Sequence, residues 1–167
     1  SLHDALPICR FRQKLMKART KVIIQLVTYV DLLFPELQYF FKSGIHGKAC
    51  YELLKSQPNP DRIAKMHLTR LTNLLSKSSH GHFKQSHAVQ LKELASHSVG
   101  IKNDTLSLQI FQSIQQIEMY TEQLAEVENS ICEVMDRMDS VIKTIPGIGA
   151  LNGAMILGEI GDISRFE

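Results

Sequence analysis

The strongest pattern of apolar and polar positions runs from about Asn103 to Lys143, where Ile110, Ile117, Leu124, Ile131 and Met138 recur every seven residues. Tyr120, Val127, Val134 and Val141 fill a second heptad line, interrupted only by Ser113. Two apolar lines per heptad make a narrow seam suited to coiled-coil pairing, so the stretch predicts one helix of roughly 60 Å that needs a partner helix. An earlier stretch from about Arg10 to Leu33 offers one, with Leu15, Val22, Leu26, Tyr29 and Leu33 at spacings of seven, four, three and four. Two pairings are open: the early helix of the same chain folding back antiparallel, or the long helix of a second protomer. A helix that merely packs into a core is the plainer alternative.

Phe34-Pro35-Glu36-Leu37 ends the early helix, because Pro lacks an amide donor and disfavours helical geometry in the residue before it. From Gln38 to Gly100 the pattern breaks into short amphipathic pieces separated by Ser43-Gly44, Gln57-Pro58-Asn59-Pro60, Ser78-Ser79-His80-Gly81 and Val99-Gly100. Asp61 is placed to cap a helix over Arg62–Ser76, and Phe83–Ser96 presents Ala88, Leu91, Leu94 and Ala95 on one face. The expected fold class is all-α: a basic linker helix over 9–37, a small helical insert over 38–100, a long coiled-coil-like helix over 101–143, and a truncated helix-hairpin-helix over 144–167.

Composition supports helix over sandwich or barrel, since aromatics are 7% and Trp is absent, while 44% apolar content in 167 residues can form a sizeable core. A net charge of +2 argues for no partner by itself, but its distribution does. Arg10, Arg12, Lys14, Lys17, Arg19 and Lys21 fall in one acid-free stretch, whereas Asp104 to Asp139 holds eight acids against Arg137 alone. That asymmetry favours pairing within the chain at low salt, although an exposed ion pair contributes only about 0 to 1 kcal/mol. Cys9, Cys50 and Cys132 form no CxxC unit, which fits a reducing cytoplasm, and neither a secretion signal nor a run of membrane-spanning length is present.

The chemistry concentrates after the long helix, in Thr144-Ile145-Pro146-Gly147-Ile148-Gly149 followed by Ala150-Leu151-Asn152-Gly153-Ala154. This pattern suits a helix-hairpin-helix, where glycines adopt backbone angles closed to other residues and let main-chain amides approach a phosphate. A helix starting near Ala150 adds its positive end, Lys143 adds a full charge, and Ile145 and Ile148 anchor the bend. The expected nucleic-acid-binding residues are therefore Lys143, Gly147, Ile148, Gly149 and Ala150, joined by the six cations of the early helix. Such contacts grip the backbone without reading bases. The competing reading is a tight turn, with Ala150, Gly153, Ala154 and Gly158 allowing close helix contact.

Other clusters carry less. His80, His82, His87 and His97 lack a Cys or acid at ligand spacing, and His46 and His67 are isolated. Glu118, Glu122, Glu126 and Glu133 have no Glu-x-x-His companion and read as a solvated face. No metal site and no cofactor of this segment is expected.

The stretch Thr144–Phe166, TIPGIGALNGAMILGEIGDISRF, resembles the start of the C-terminal transposase family 20 domain in the insertion-sequence-110 family of DEDD transposases. The resemblance rests on Ile145, Pro146, Gly147, Ile148, Gly149, Ala154, Glu159, Ile160, Gly161, Asp162, Arg165 and Phe166. Arg10-Phe11-Arg12, Arg19-Thr20 and Phe34-Pro35-Glu36-Leu37 are similar to the segment that follows the family's catalytic domain. The resemblance implies DNA strand exchange guided by a structured RNA, divalent metal (magnesium) held by acids of an N-terminal RuvC-like fold, a nucleophilic serine further along, and a homo-oligomer joined through the 103–143 helix.

The matching part lies between those catalytic elements, so no catalytic residue is carried over, and Asp4 and Ser164 are refused that role. Residues 1–8 resemble a translated sequencing adapter, since tcc-cta-cac-gac-gct-ctt-ccg-atc-t reads through Ser1 to Ile8 and its last base opens a Cys codon. The chain is thus expected to be an internal piece of a longer transposase, inactive alone. The rival expectations are a complete helix-hairpin-helix accessory protein of DNA repair and a coiled-coil scaffold with no nucleic-acid role.

Overall fold

Sustained apolar periodicity gives two long helices, and turn-forming residues cut the chain between them into short ones. In the computed structural model, which describes residues 2–137 and 146–160, the order is α1 (Leu2–Leu33), α2 (Leu37–Phe40), α3 (Lys48–Ser56), α4 (Pro60–Lys65), α5 (Leu68–Ser78), α6 (Gln85–Ser96), α7 (Asp104–Arg137) and α8 (Ala150–Ile160). The all-α expectation holds, with no strand among the described residues. No described helix is long and apolar enough to cross a membrane. The chain divides into two compact units, one of residues 1–21 with 117–167 and one of residues 22–116.

In the first unit α1 and α7 run antiparallel. Cys9 packs with Ile131, Arg12 bonds to Glu128 and Arg19 to Thr121, so numbering rises on one helix as it falls on the other. Of the two open pairings, this is the one within the chain. Ile117, Leu124 and Ile131 are buried, while Val127 and Val134 beside them are half-buried. α8 closes the end of the pair: Ala154 joins Cys9, Ile131 and Met135 in a buried cluster, with Leu151 and Met155 packed against it. Met138, Val141, Lys143, Thr144 and Ile145 lie outside the described residues.

The second unit is built on the later turns of α1, where Leu26, Val30 and Leu33 are buried, and on the first turns of α7, where Leu106, Ile110, Ser113 and Ile114 are buried. The insert packs α4 on α6, α3 on α5 and α5 on α6. The expected Arg62–Ser76 helix is corrected by its caps. Asn59, not Asp61, is the N-cap of α4, its side chain accepting the Asp61 amide at 2.9 Å, with Pro60 in the first turn where a missing donor costs little. The chain leaves helical geometry at Met66, and His67 starts α5 by accepting the Thr69 amide at 3.3 Å. α1 also begins earlier than expected, at Leu2, with Pro7 inside it.

The return from the insert is held tightly to the end of α1. Glu36 accepts the Ser98 hydroxyl at 2.7 Å and the Val99 amide at 2.9 Å, and the Ile101 amide donates to the Leu32 carbonyl at 2.7 Å. That last bond satisfies a carbonyl that the helix terminus leaves without an intrahelical partner. Gly100 lies directly against the Leu33 main chain: a Cβ there would fall on the Leu33 carbonyl oxygen and 2.5 Å from its carbon.

Candidate nucleic-acid interface

The helical turn of α1 sorts its six cations into two sets. Arg10, Lys14, Lys17 and Lys21, at spacings of four, three and four, are all exposed and form a stripe about 16 Å long on one face. None has an ion pair among the described residues. Arg12 and Arg19, seven apart, are half-buried and turn toward α7. Arg12 donates through Nε to Glu128 Oε1 at 2.7 Å and approaches the same oxygen through Nη2 at 2.7 Å. Arg19 reaches Thr121 Oγ1 at 3.4 Å, a weak bond, and its Nε is buried with no partner. Both arginines line a groove of about 310 Å³ floored by Met16, Leu124 and Ala125.

The charge asymmetry therefore has two uses. Arg12 and Arg19 turn toward α7, where Arg12 is held by Glu128 and Arg19 meets Thr121 only weakly, so these two differ in setting from the rest of the expected phosphate-binding set. The other four cations are exposed, with no ion pair among the described residues. This division was accessible from the sequence, because Arg12 and Arg19 are each offset by two residues from Arg10 and Lys17, which is about 200° around a helix.

At the bend before α8, Pro146, Gly147, Gly149 and Ala150 are exposed and Ile148 is half-buried. Gly147 has a φ of +86°, in the left-handed region that side chains beyond glycine resist. A Cβ at Gly147 or Gly149 would meet nothing within 4 Å, so one side of the bend is open space. α8 starts when the Gly153 amide donates to the Gly149 carbonyl at 2.8 Å, leaving the amides of residues 150–152 ahead of the intrahelical ladder. Of the four residues that the tight-turn reading named, Gly153 and Ala154 are buried and Ala150 is exposed, while the surroundings of Gly158 lie outside those described. Lys143 and Ile145 lie outside the described residues, as does any helix leading into the bend.

Among the described residues no three His, Cys, Asp or Glu side chains are grouped to hold a metal ion. The histidines have local work: His87 Nδ1 accepts the Lys84 amide at 3.0 Å at the start of α6, and His46 Nδ1 lies 2.9 Å from the Tyr51 hydroxyl. Desolvation lowers the His46 pKa, and burial pushes the Cys50 thiol up, which keeps it protonated and unreactive.

Residues 139–167 match the family model described as Transposase IS116/IS110/IS902 family. No curated protein and no solved structure matches the chain. The family match covers the segment whose IPGIG and EIGD…RF residues carry the resemblance found in the sequence, and bears that reading out.

Proposed function

We propose, from the match of residues 139–167 to the model of the IS116/IS110/IS902 transposase family, that the chain serves the movement of an insertion sequence by gripping nucleic-acid backbone without reading bases. The observation that carries this reading is the exposed stripe of Arg10, Lys14, Lys17 and Lys21, without an ion pair among the described residues, in the same unit as the open bend at Gly147–Ala150. Exposed cations at successive helical turns attract a polyanion by releasing its counterions, and exposed main-chain amides can donate to phosphate oxygens. DNA is the partner the family implies. Strand exchange, the magnesium it uses and a structured guide RNA belong to the whole transposase, and this chain alone is expected to be inactive.

Self-association through α7 is part of the same proposal, but by a different face from the seam. Ile117, Leu124 and Ile131 are already covered, whereas Leu108 and Phe111 of α7 are exposed. A second copy would meet that exposed pair.

Duplex DNA titrated at low salt tests the grip. Gly149→Val is the cleaner probe of the bend, because its Cβ enters open space and its φ is ordinary, so it obstructs an approaching strand without straining the loop. Gly147→Val adds backbone strain and is read together with helicity. Charge removal at Lys14, Lys17 and Lys21 should lower the slope of log affinity against log salt by about 0.9 for each phosphate no longer neutralised. Duplex affinity and salt slope unchanged in both sets of variants would leave a helical scaffold with no nucleic-acid role.

A further inference from the structure

The second unit contains a cavity of about 780 Å³ that the nucleic-acid grip does not use. Its size lies within the roughly 300–1,000 Å³ typical of small-molecule sites. One wall is aromatic. Phe40 and Phe83 stack with centroids 5.7 Å apart and planes at 21°, and Phe41 stands edge-on to both, at 4.9 Å and 5.5 Å. His82 and His87 extend that wall with their rings 6.4 Å apart at 25°, and Tyr39 borders the cavity while 87% exposed. A tyrosine so exposed gains little from the fold, yet it offers a flat face to whatever enters.

The lining also carries cations. Lys42 and Lys48 line the cavity, no Asp or Glu does, and neither lysine has an ion pair among the described residues. Gly47, Lys48, Ala49 and Cys50 bring the first turn of α3 into the same lining. That turn has no side-chain cap, and its first internally bonded amide is that of Tyr51, donating to the Gly47 carbonyl at 3.1 Å. Amides ahead of the α3 ladder, two lysines with no ion pair among the described residues and a cluster of rings therefore line one cavity. Ser43 and Gln90 add polar groups at its margin, which a ring with donors and acceptors on its edge would use and an acyl chain would not.

We propose that this cavity binds a nucleoside phosphate, with the base against the aromatic wall and the phosphate between Lys42, Lys48 and the first turn of α3. Stacking accepts any base through its π face, and the lysines supply charge, the combination by which proteins hold single nucleotides and single strands. The same chemistry is presented by a free mononucleotide and by one residue of a single strand, and the test separates them.

The full chain is titrated calorimetrically with adenosine and uridine 5′-monophosphates and with short single-stranded oligothymidylates of increasing length. Saturable binding is expected, weakened about tenfold or more in the double variant Lys42→Glu with Lys48→Glu and by a smaller factor in Tyr39→Ala. All three side chains are exposed, so circular dichroism should be unchanged. Lys14→Glu with Lys17→Glu makes the same charge change on α1 and should leave mononucleotide binding as it was, as should Gly149→Val. These controls keep failure of the cavity distinct from failure of the backbone grip. With the α1 grip removed by Lys14→Glu and Lys17→Glu, a strand that binds no more tightly than the monophosphate identifies the free nucleotide as ligand; affinity that still rises with strand length identifies the strand. Absence of saturable binding by either, or equal losses from the two charge reversals, would overturn the assignment.

Discussion

Gly100→Ala gives the most direct test of the packing described above, because two physical effects predict opposite signs. Gly100 has no left-handed φ, so alanine is conformationally permitted, and in open space the substitution would stabilise the fold by about 0.4–1 kcal/mol through the unfolded chain. The space is not open. The new methyl would overlap the Leu33 carbonyl oxygen and lie 2.5 Å from its carbon, and main chain cannot rotate aside as a side chain can. Overpacking of this kind costs about 1–3 kcal/mol.

Displacing the segment also stretches the Ile101 amide bond to Leu32, a contribution of about 0.5–1.5 kcal/mol. After the entropic gain is set against these terms, the net loss is about 2 kcal/mol, or roughly 4–8 °C in melting temperature for a chain of this size. Thermal unfolding followed by far-UV circular dichroism reads it. A Gly100→Ala chain as stable as its parent, or more stable, would refute the close approach. Gly44→Ala is the comparison: with nothing within 4 Å and a φ of +83°, it incurs left-handed strain of about 1–2 kcal/mol without a steric clash.

Further outcomes follow from the same geometry. A double-mutant cycle on Arg12→Ala and Glu128→Ala should give a coupling of about 1 kcal/mol that shrinks in high salt; zero coupling would mean that the pair does not fix α1 against α7. Native thiol titration should label Cys132, which is half-buried, well before Cys9 and Cys50, which are buried; fast labelling of Cys50 would contradict its protected environment. His46 has a folded-state pKa below its usual 6.5, so the unfolded chain binds more protons just below that value and stability falls as pH drops through it. His46→Gln should flatten that part of the stability-pH curve, and an unchanged slope would reject desolvation of His46 as its source.

The long helices were legible in the sequence because a seven-residue repeat constrains many positions at once, and Ile110, Ile117, Leu124 and Ile131 are all buried as that repeat requires. Their pairing was less legible, since one apolar seam suits either a neighbour in the chain or a copy of itself. What decided it lies in register: Arg12 meets Glu128 and Arg19 meets Thr121, pairs separated by 116 and 102 residues that no local pattern encodes. Caps in the insert were misplaced by a few residues because Asn59, Asp61 and His67 all have side chains able to accept an amide, and only backbone direction selects among them. Gly100 looked like an ordinary chain breaker; its approach to Leu33 is tertiary. The aromatic cavity was missed because its walls come from residues 39–50 and 78–90, which meet only after the insert has folded.

The two sets of cations on α1 share one rigid rod, and that places a phase constraint on it. One residue of slip rotates a helix by about 100°. An insertion at Met16 would therefore carry Lys17 and Lys21 off the line begun by Arg10 and Lys14, and would swing Arg19 away from Thr121 in the same motion. Inserting seven residues, close to two full turns, would nearly restore the angular phase of both sets, while moving Arg19 about 10 Å along the axis from Thr121. Variation in the length of this rod should accordingly be tolerated in steps near whole heptads that α7 matches, and resisted between them.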